Sequence, residues 1–191
     1  MPFASGQLGA LQGRNGQQIW AESLSGGRRG FVRMQIGDIS GTPVIVNGRV
    51  YSASQGGELA ATDLETGDRL WTLGEGAYGP VWPAGDSIFL VSDEQELLRV
   101  NAASGALVWR VSLPGYAKPE RRKRLTANYG PVLSGGRLIV ASGDGVIRSF
   151  DPTTGAALGE TAIPGGAAAQ PAVAGGVLYV LSASGTLHAF Q

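Results

Sequence analysis

Short apolar runs, separated by glycine-containing turns, alternate with polar segments along the whole chain. Typical runs are Val44–Val46, Arg49–Ala53 and Leu59–Thr62, and a fourth run ends at Trp71. Runs of this length, rich in β-branched and aromatic residues and bounded by turn residues, predict β-strands. Because the turns are short, the pattern predicts antiparallel sheets of four strands.

A repeat organises these strands. A glycine two residues before a leucine or isoleucine marks each unit, except that glutamine replaces the glycine once; the unit starts are Gly6, Gly57, Gln95, Gly145 and Gly185. The starts are 38 to 51 residues apart, which is the range expected for the blades of a β-propeller. The sequence therefore predicts an all-β partial propeller of four-stranded antiparallel blades.

A second glycine follows ten residues after each of the first four starts, at Gly16, Gly67, Gly105 and Gly155. Before it lies an Asp or Asn in three units, which can accept hydrogen bonds from nearby backbone N–H groups, while the glycine takes the positive φ that ends the turn. Four residues after the glycine come Trp20, Trp71, Trp109 and, in the fourth unit, Gly159. We expect each Trp to lie across the neighbouring blade, so the predicted structural pins are Trp20, Trp71, Trp109, Gly67 and Gly105.

The composition excludes several classes of protein. The chain has 191 residues, equal numbers of basic and acidic residues, 43% hydrophobic residues and no Cys. It is therefore too apolar for a disordered protein, has no net basic charge for binding nucleic acid, and cannot form disulfides or thiolate metal sites. The single His, His188, has no acidic or nucleophilic neighbour in sequence and is expected to be a packed or surface strand residue. No catalytic triad, metal cluster or phosphate loop can be assembled, so we expect no enzyme, no cofactor and no metal.

Two stretches resemble a known family. The pattern Ala-x-Asp-x-x-Thr-Gly-x-x-x-Trp from Ala61 to Trp71 resembles the repeat of pyrroloquinoline-quinone-like propellers. The stretch Asp38–Tyr51 and the order of the later blades resemble, more narrowly, the carboxy-terminal half of the BamB-like outer-membrane protein assembly factors. The strand pattern predicts two strands in a first partial blade, four in each of the next three blades and three in the last, which is seventeen strands or about four blades. The resemblance implies that a complete propeller has eight. The implied bounds are 1–24 for a half blade, 41–75, 78–113 and 128–163 for full blades, and 169–191 for a three-stranded last blade, all in one partial propeller spanning residues 1–191.

The same resemblance implies a function. It implies a non-catalytic scaffold of the outer-membrane β-barrel assembly machinery that binds the periplasmic domains of BamA at the periplasmic face of the outer membrane. The sequence has no signal peptide or lipobox of its own, so we expect a fragment that meets the membrane only through its parent complex. Open blade edges would allow self-association. The alternative is the repeat region of a quinone-dependent dehydrogenase, which would need carboxylates and an Asn around a calcium-bound cofactor.

Two long connections between blades are the expected partner-binding regions, and strand alternation predicts that they leave the blades at the same end. The first, Ser25–Gly41, has a formal charge of +2. By resemblance, Asp38 falls on one of two acids that contact BamA, and Ser40 stands in place of the other; alternatively, Asp38 only caps the turn into the next strand. The candidate residues of this connection are Arg28, Arg29, Arg33, Asp38 and Ser40.

The second long connection, Pro114–Gly130, has a formal charge of +4. It could steer an acidic partner or hold anionic lipid head groups, or it could be a solvated loop without a partner. Nucleic acid is not expected, because no aromatic stacking platform accompanies the charges. The candidate residues are Lys118, Arg121, Arg122, Lys123 and Arg124.

Overall fold

The computed structural model of the protein describes residues 1–2, 6–24, 39, 41–55, 57–118 and 123–191. These residues form nineteen strands joined by turns, and every sheet is antiparallel where its register is defined. The predicted all-β fold class is confirmed. In the described part of the chain, no helix is long and apolar enough to cross a membrane.

The strands follow the chain order within each sheet, as consecutive hairpins require. The first sheet contains β1 (Gln7–Leu11) and β2 (Gln18–Ser23), and the second contains β3 (Val44–Val46), β4 (Arg49–Ser54), β5 (Glu58–Asp63) and β6 (Arg69–Leu73). The third contains β7 (Trp82–Ala84), β8 (Ser87–Val91), β9 (Glu96–Asn101) and β10 (Leu107–Ser112). The fourth contains β13 (Asn128–Ser134), β14 (Arg137–Ser142), β15 (Val146–Phe150) and β16 (Ala157–Ala162), and the fifth contains β17 (Ala172–Ala174), β18 (Val177–Leu181) and β19 (Leu187–Phe190).

The sequence predicts seventeen strands, two fewer than the described part contains. The additional strands are β11 (Tyr116–Lys118) and β12 (Lys123–Leu125), which pair with each other inside the second long connection. We call this two-stranded element the basic ribbon. The repeat pattern does not predict the basic ribbon, because the ribbon belongs to no blade and occurs only once in the described residues.

The chain divides into two compact units. Unit 1 contains residues 1–88 and 100–107, and unit 2 contains residues 89–99 and 108–191. In unit 1, Leu8, Leu24, Ile39, Val50 and Ala60 form a buried cluster against which Trp20 and Leu64 pack. In unit 2, the fully buried side chains include Leu90, Leu97, Leu98, Leu138, Val140, Ile163 and Val180. The assignment of residues 1–191 to one partial propeller stays a prediction.

The turns between the third and fourth strands of three sheets have the predicted geometry. The Oδ1 atom of Asp63 accepts from two backbone N–H groups at 2.9 Å, that of Asn101 accepts from two at 3.0 Å, and that of Asp151 accepts from two at 2.8 Å. The glycines that end these turns, at Gly67, Gly105 and Gly155, have φ between 73° and 79°. An L-residue is strained at such φ values, which explains the glycine at this position.

A buried serine also recurs at the turns between the second and third strands, in addition to the glycines and tryptophans of the repeat. A serine that is at most 1% exposed is the last residue of the second strand, at Ser54 and Ser142, or directly follows that strand, at Ser92 and Ser182. Ser54 and Ser92 accept from the backbone N–H of the first residue of the third strand, Glu58 at 3.3 Å and Glu96 at 3.2 Å, and Ser182 donates to the carbonyl of Thr186 at 3.1 Å. In these three turns the hydroxyl therefore bonds to backbone at the far end of the turn.

The outermost strand of three sheets contains a β-bulge at the same place in the repeat. The pairing register skips one residue at Ile19 in β2, Leu70 in β6 and Leu158 in β16. Each skipped residue directly precedes the Trp position, and each is a large exposed aliphatic side chain. The extra residue leaves the strand locally unpaired and increases its twist.

Candidate functional site

In unit 1, two indoles lie against the turn glycines of the following sheet. A β-carbon built on Gly67 would lie 2.6 Å from Cγ of Trp20, and one built on Gly105 would lie 2.6 Å from Cε3 of Trp71. The indole N–H of Trp20 donates to the carbonyl of Leu64 at 2.9 Å. These contacts join residues of successive sheets and leave room only for glycine under each ring.

Of the three Trp side chains at the repeat position, Trp71 has both an aromatic packing partner and a hydrogen-bond acceptor. Its side chain is 9% exposed and packs beside Tyr51, with the ring centroids 6.1 Å apart. Its indole N–H donates to the carbonyl of Ala102 at 3.1 Å, and Arg49 donates to the same oxygen at 2.7 Å. The ring is therefore held by packing beside Tyr51 and by a satisfied hydrogen bond.

The corresponding contact in unit 2 is looser. A β-carbon on Gly155 would lie 3.0 Å from Cε3 of Trp109, whose ring packs beside Phe89 at a centroid distance of 6.0 Å. The indole N–H of Trp109 is buried and has no hydrogen-bond partner among the described residues. A buried donor without an acceptor costs free energy, so this contact contributes less than that of Trp71.

The fourth Trp position, Gly159, faces Ser149 across the β15–β16 pair. Ser149 and Thr161 line a cavity of about 330 Å³ together with Leu178 and Phe190 of the fifth sheet. All of these residues belong to unit 2. The cavity therefore lies on the sheet face on which the other repeats place an indole. The structural role assigned to Trp20, Trp71, Trp109, Gly67 and Gly105 stays a prediction, which stability measurements can test.

An ion cluster also connects the first two sheets of unit 1. The guanidinium of Arg69 contacts the carboxylates of both Glu22 and Glu58, and it donates to the carbonyl of Ser23 at 2.7 Å. Thr62 donates to the other oxygen of Glu22 at 2.6 Å. The carboxylate of Glu58 is almost fully buried, and Arg69 compensates its charge.

The base of the basic ribbon is held by a hydrogen-bond network that the sequence analysis did not identify. The side-chain amide of Asn128 donates to Oε1 of Gln95 at 2.7 Å and to the carbonyl of Pro114 at 2.9 Å, and its oxygen accepts from Ser142 at 2.5 Å. Arg148 donates to the Ser142 hydroxyl at 3.0 Å and forms an ion pair with Asp144 at 2.7 Å. The sequence signal for this network is Gln95, the one repeat start that is not a glycine.

Backbone hydrogen bonds also hold the base of the basic ribbon. The N–H of Thr126 donates to the carbonyl of Gly115 at 3.0 Å, and the N–H of Leu113 donates to the carbonyl of Gln95 at 2.9 Å. Gln95 itself has a φ of 61°, unusual for a residue other than glycine. The two ends of the ribbon are thus clamped together on the turn that contains Gln95.

The predicted partner-binding residues of the second connection fall partly on the ribbon. Lys118 ends β11, Lys123 begins β12, and these two residues are directly opposite each other in the pairing register. Arg124 lies in the middle of β12, while Arg121 and Arg122 lie outside the described residues. Tyr116 and Leu125 are also opposite each other, nearer the base, with 36% and 56% of their surfaces exposed.

The predicted residues of the first connection, Arg28, Arg29, Arg33, Asp38 and Ser40, lie outside the described residues. Ile39, between Asp38 and Ser40, packs in the buried cluster of unit 1. A β-carbon on Gly41 would lie 2.7 Å from the carbonyl oxygen of Gly79, so only glycine fits there. The carboxyl end of this connection is therefore anchored on both sides of Ser40.

The turn aspartates and the single histidine contact backbone groups or an aromatic ring of their own sheets. Backbone N–H donors of Thr66 and Glu65 lower the pKa of Asp63, and those of Thr154 and Thr153 lower the pKa of Asp151. His188 stacks on Phe190 with a centroid distance of 6.3 Å, and its Nε2 atom is buried without a partner among the described residues. Within the described ranges, no three His, Asp or Glu side chains group as a metal site.

Comparison with solved structures shows the fold. The chain matches the crystal structure of BamB from Moraxella catarrhalis over its whole length, with a TM-score of 0.80 and 23% identity, and covers 53% of that chain. A weaker match is the quinohemoprotein alcohol dehydrogenase from Comamonas testosteroni, with a TM-score of 0.55 over 65% of this chain, 21% of that chain and 22% identity.

Comparison with sequences shows the family. The outer membrane protein assembly factor BamB from Legionella pneumophila is 28% identical over 187 residues, which are 97% of this chain and 46% of that protein. The chain spans about half the length of the curated relatives it matches. The family model described as outer membrane protein assembly factor BamB matches residues 1–110 and 93–191. Since these two matches together cover the chain, it belongs to the outer membrane protein assembly factor BamB family.

Proposed function

We propose that the chain is part of a non-catalytic protein-binding scaffold that supports assembly of β-barrel proteins at the periplasmic face of the outer membrane. The observation that carries this proposal is the match of the family model along both halves of the chain. The curated relatives, from several organisms, are named outer membrane protein assembly factors. The proposed partner is the set of periplasmic domains of BamA.

The surroundings of the ionisable groups support a role without catalysis. The carboxylates of Asp63 and Asp151 each accept two backbone N–H groups of their own turns. Glu22 and Glu58 both form ion pairs with Arg69. Groups held in this way stabilise turns and the contact between sheets, which supports a structural role for each of them.

The two long connections are the proposed contact regions. The segment around Asp38 is anchored at Ile39 and Gly41 within unit 1. The basic ribbon is anchored by Asn128 within unit 2. Connections supported by a rigid base are the usual places where a repeat scaffold binds partners.

Binding of the purified BamA periplasmic domains to the chain tests the proposal. We expect binding that weakens as salt rises, because exposed charges are screened over a Debye length of about 8 Å near physiological ionic strength. Asp38→Lys should weaken binding, whereas Asp68→Lys, at an exposed turn position, is the matched control and should not. No binding by the wild-type chain at low salt would contradict the scaffold role, and equal binding by both variants would exclude the contact through Asp38.

The second candidate function is the quinone-binding region of a dehydrogenase, favoured only by the fold match to the quinohemoprotein enzyme. An absorbance titration with pyrroloquinoline quinone and calcium separates the two functions. We expect no stoichiometric binding by the chain. Saturable binding at one quinone per chain would replace the scaffold proposal with the enzyme.

A further inference from the structure

A cavity in unit 2 lies at the repeat position that carries a Trp in three other repeats. Gly159 is opposite Ser149 in the β15–β16 pair, as Trp71 is opposite Ala61 in the β5–β6 pair. Residues opposite each other in an antiparallel pair have their side chains on one face of the sheet. Glycine has no side chain to fill this position, and the cavity of about 330 Å³ lies on the same face, lined by Ser149.

The walls of the cavity include four large apolar side chains. Ile139 and Ile147 of the fourth sheet are 8% and 6% exposed. Leu178 and Phe190 of the fifth sheet are opposite each other in register and half-buried. A dry cavity of about 150 Å³ is enough to bind benzene, and pockets for small molecules range from about 300 to 1,000 Å³. The volume of this cavity therefore suits a single aromatic ring system.

The same cavity has a polar side. Arg137 and Ser134 are opposite each other in the β13–β14 pair and line the cavity together with Thr161. Among the described residues that line the cavity, Arg137 has the only charged side chain, and it forms no ion pair within the described part of the chain. A guanidinium binds a carboxylate through two parallel hydrogen bonds and also stacks on aromatic rings. This side of the cavity therefore suits an aromatic group with a carboxylate close to it.

Two glycine turns leave the cavity open. Gly135 and Gly176 line it, and apart from their chain neighbours no atom lies within 4 Å of a β-carbon built on either residue. Glycine permits another backbone to approach closely. A site for a free small molecule usually encloses most of the ligand surface. A cavity open along two turns instead favours one side chain of a polypeptide, whose main chain passes over the turns.

We infer that this cavity binds the aromatic side chain of a partner polypeptide, with an indole as the best-fitting ring and an acidic residue two positions away in the segment. Ile139 has the repeat position of Tyr51, which packs beside Trp71. Arg137 is two residues before Ile139 on β14, and in an extended segment side chains two positions apart also lie on one face about 6.6 Å apart. A ring beside Ile139 therefore brings the acidic residue to Arg137. The inference goes beyond the proposed contact with BamA and is independent of it.

Three labelled peptides test this inference by fluorescence anisotropy. The first is Gly-Asp-Ser-Trp-Ser-Asp-Gly; the second replaces Trp by Ala, and the third replaces both Asp by Asn. We expect the wild-type chain to bind the Trp peptide about ten-fold or more tightly than the Ala peptide, because a buried aromatic side chain is a typical anchor. It should bind the Asp peptide about three-fold or more tightly than the Asn peptide. Equal affinity for the Trp and Ala peptides would overturn the inference.

Gly159→Trp gives the cavity an indole from the chain itself. A β-carbon built on Gly159 lies 3.7 Å from the hydroxyl oxygen of Ser149, an ordinary contact, so the position accepts a side chain. We expect this variant to bind the Trp peptide about ten-fold or more weakly than the wild type, because its own indole competes for the cavity. Leu158→Trp adds the same side chain at the adjacent exposed residue and is the matched control, which should bind like the wild type. Unchanged binding by Gly159→Trp would contradict the assignment to this cavity.

Arg137→Ala tests the acidic residue separately. It should weaken binding of the Asp-containing Trp peptide about three-fold or more and leave binding of the Asn peptide unchanged. Arg14→Ala, at an exposed position in unit 1, is the control and should change neither affinity. An equal effect of Arg137→Ala on the two peptides would contradict the contact between the guanidinium and the acid, even if Gly159→Trp fails to fold.

Two further measurements separate the inference from its alternatives. Indole-3-acetate should displace the labelled Trp peptide only at about ten-fold or higher concentration than the unlabelled peptide, because it makes fewer contacts. Displacement at equal concentration would assign the cavity to free small molecules and overturn the polypeptide partner. Binding of BamA domains without a preference for the Trp peptide would overturn this inference alone, whereas that preference without BamA binding would leave it standing and contradict the proposed partner.

Discussion

Trp71 in unit 1 and Trp109 in unit 2 occupy the same position of the repeat and have different surroundings. The N–H of Trp71 finds the carbonyl of Ala102, whereas the N–H of Trp109 is buried without a partner among the described residues. The turn residue equivalent to Ala102 in the next repeat is Pro152, whose ring fixes φ. The repeat motif thus determines the position of the indole. The hydrogen bond of the indole is present where the second residue of the facing turn is Ala102 and, in the described part of the chain, absent where that residue is Pro152.

The largest expected effect is that of removing the better-held indole. Trp71→Ala should lower the free energy of unfolding by roughly 3 to 5 kcal/mol, because deleting a large buried aromatic side chain loses its packing and leaves a cavity. Trp82, outside the repeat position and only half-buried, is the control and should matter less. Urea unfolding monitored by circular dichroism measures both, and equal midpoints for the two Ala variants would refute the special role of Trp71.

The glycine beneath the indole should show the next largest effect. Gly105→Ala combines a φ of 73° with a β-carbon only 2.6 Å from the Trp71 ring, so we expect a loss of roughly 2 to 4 kcal/mol. Gly16 is the matched control, since its φ is 71° and nothing lies within 4 Å of a β-carbon built there. Gly16→Ala should therefore cost only the backbone strain, roughly 1 to 2 kcal/mol. If urea unfolding gives the same loss for both, the contact with Trp71 contributes nothing.

A smaller effect isolates the indole hydrogen bond. Trp71→Phe and Trp109→Phe remove similar ring volume, but only the first removes a satisfied donor, and the second removes an unsatisfied one. We expect Trp71→Phe to be more destabilising by about 1 kcal/mol or more. Matching losses of unfolding free energy in the two variants would show that the orphan N–H of Trp109 finds water or another acceptor in solution.

The smallest expected effect compares the Asp and Asn turns. The pKa of Asp63 is lowered in the folded state by backbone N–H donors, so its stabilising contribution is complete above its unfolded-state pKa of 3.8 and is lost as the pH falls through the lower folded value. Asp63→Asn, which copies Asn101, should therefore reduce stability at pH 6 more than at pH 3. Urea midpoints at the two pH values measure this, and an equal deficit at both would contradict the assignment.

The sequence predicts what is local and repeated in this molecule. The Asp63 and Asn101 turns and the positions of the glycines follow from spacing alone, because their hydrogen bonds join residues two or three apart. The basic ribbon and the Asn128 network could not be predicted in this way. Asn128 joins Gln95, 33 residues away, and Ser142, 14 residues away, and a single sequence does not encode which distant polar groups meet.

The bulges at Ile19, Leu70 and Leu158 have a consequence for the behaviour of the protein at high concentration. An outermost strand offers unpaired N–H and C=O groups, to which a strand of another molecule can add, and regular spacing of these groups favours such addition. One extra residue in the strand interrupts that spacing, and the twist turns the neighbouring groups away. At these three positions, which are exposed and aliphatic, a strand of another molecule therefore meets an irregular edge. The bulges thus protect these edges locally against fibrous aggregation.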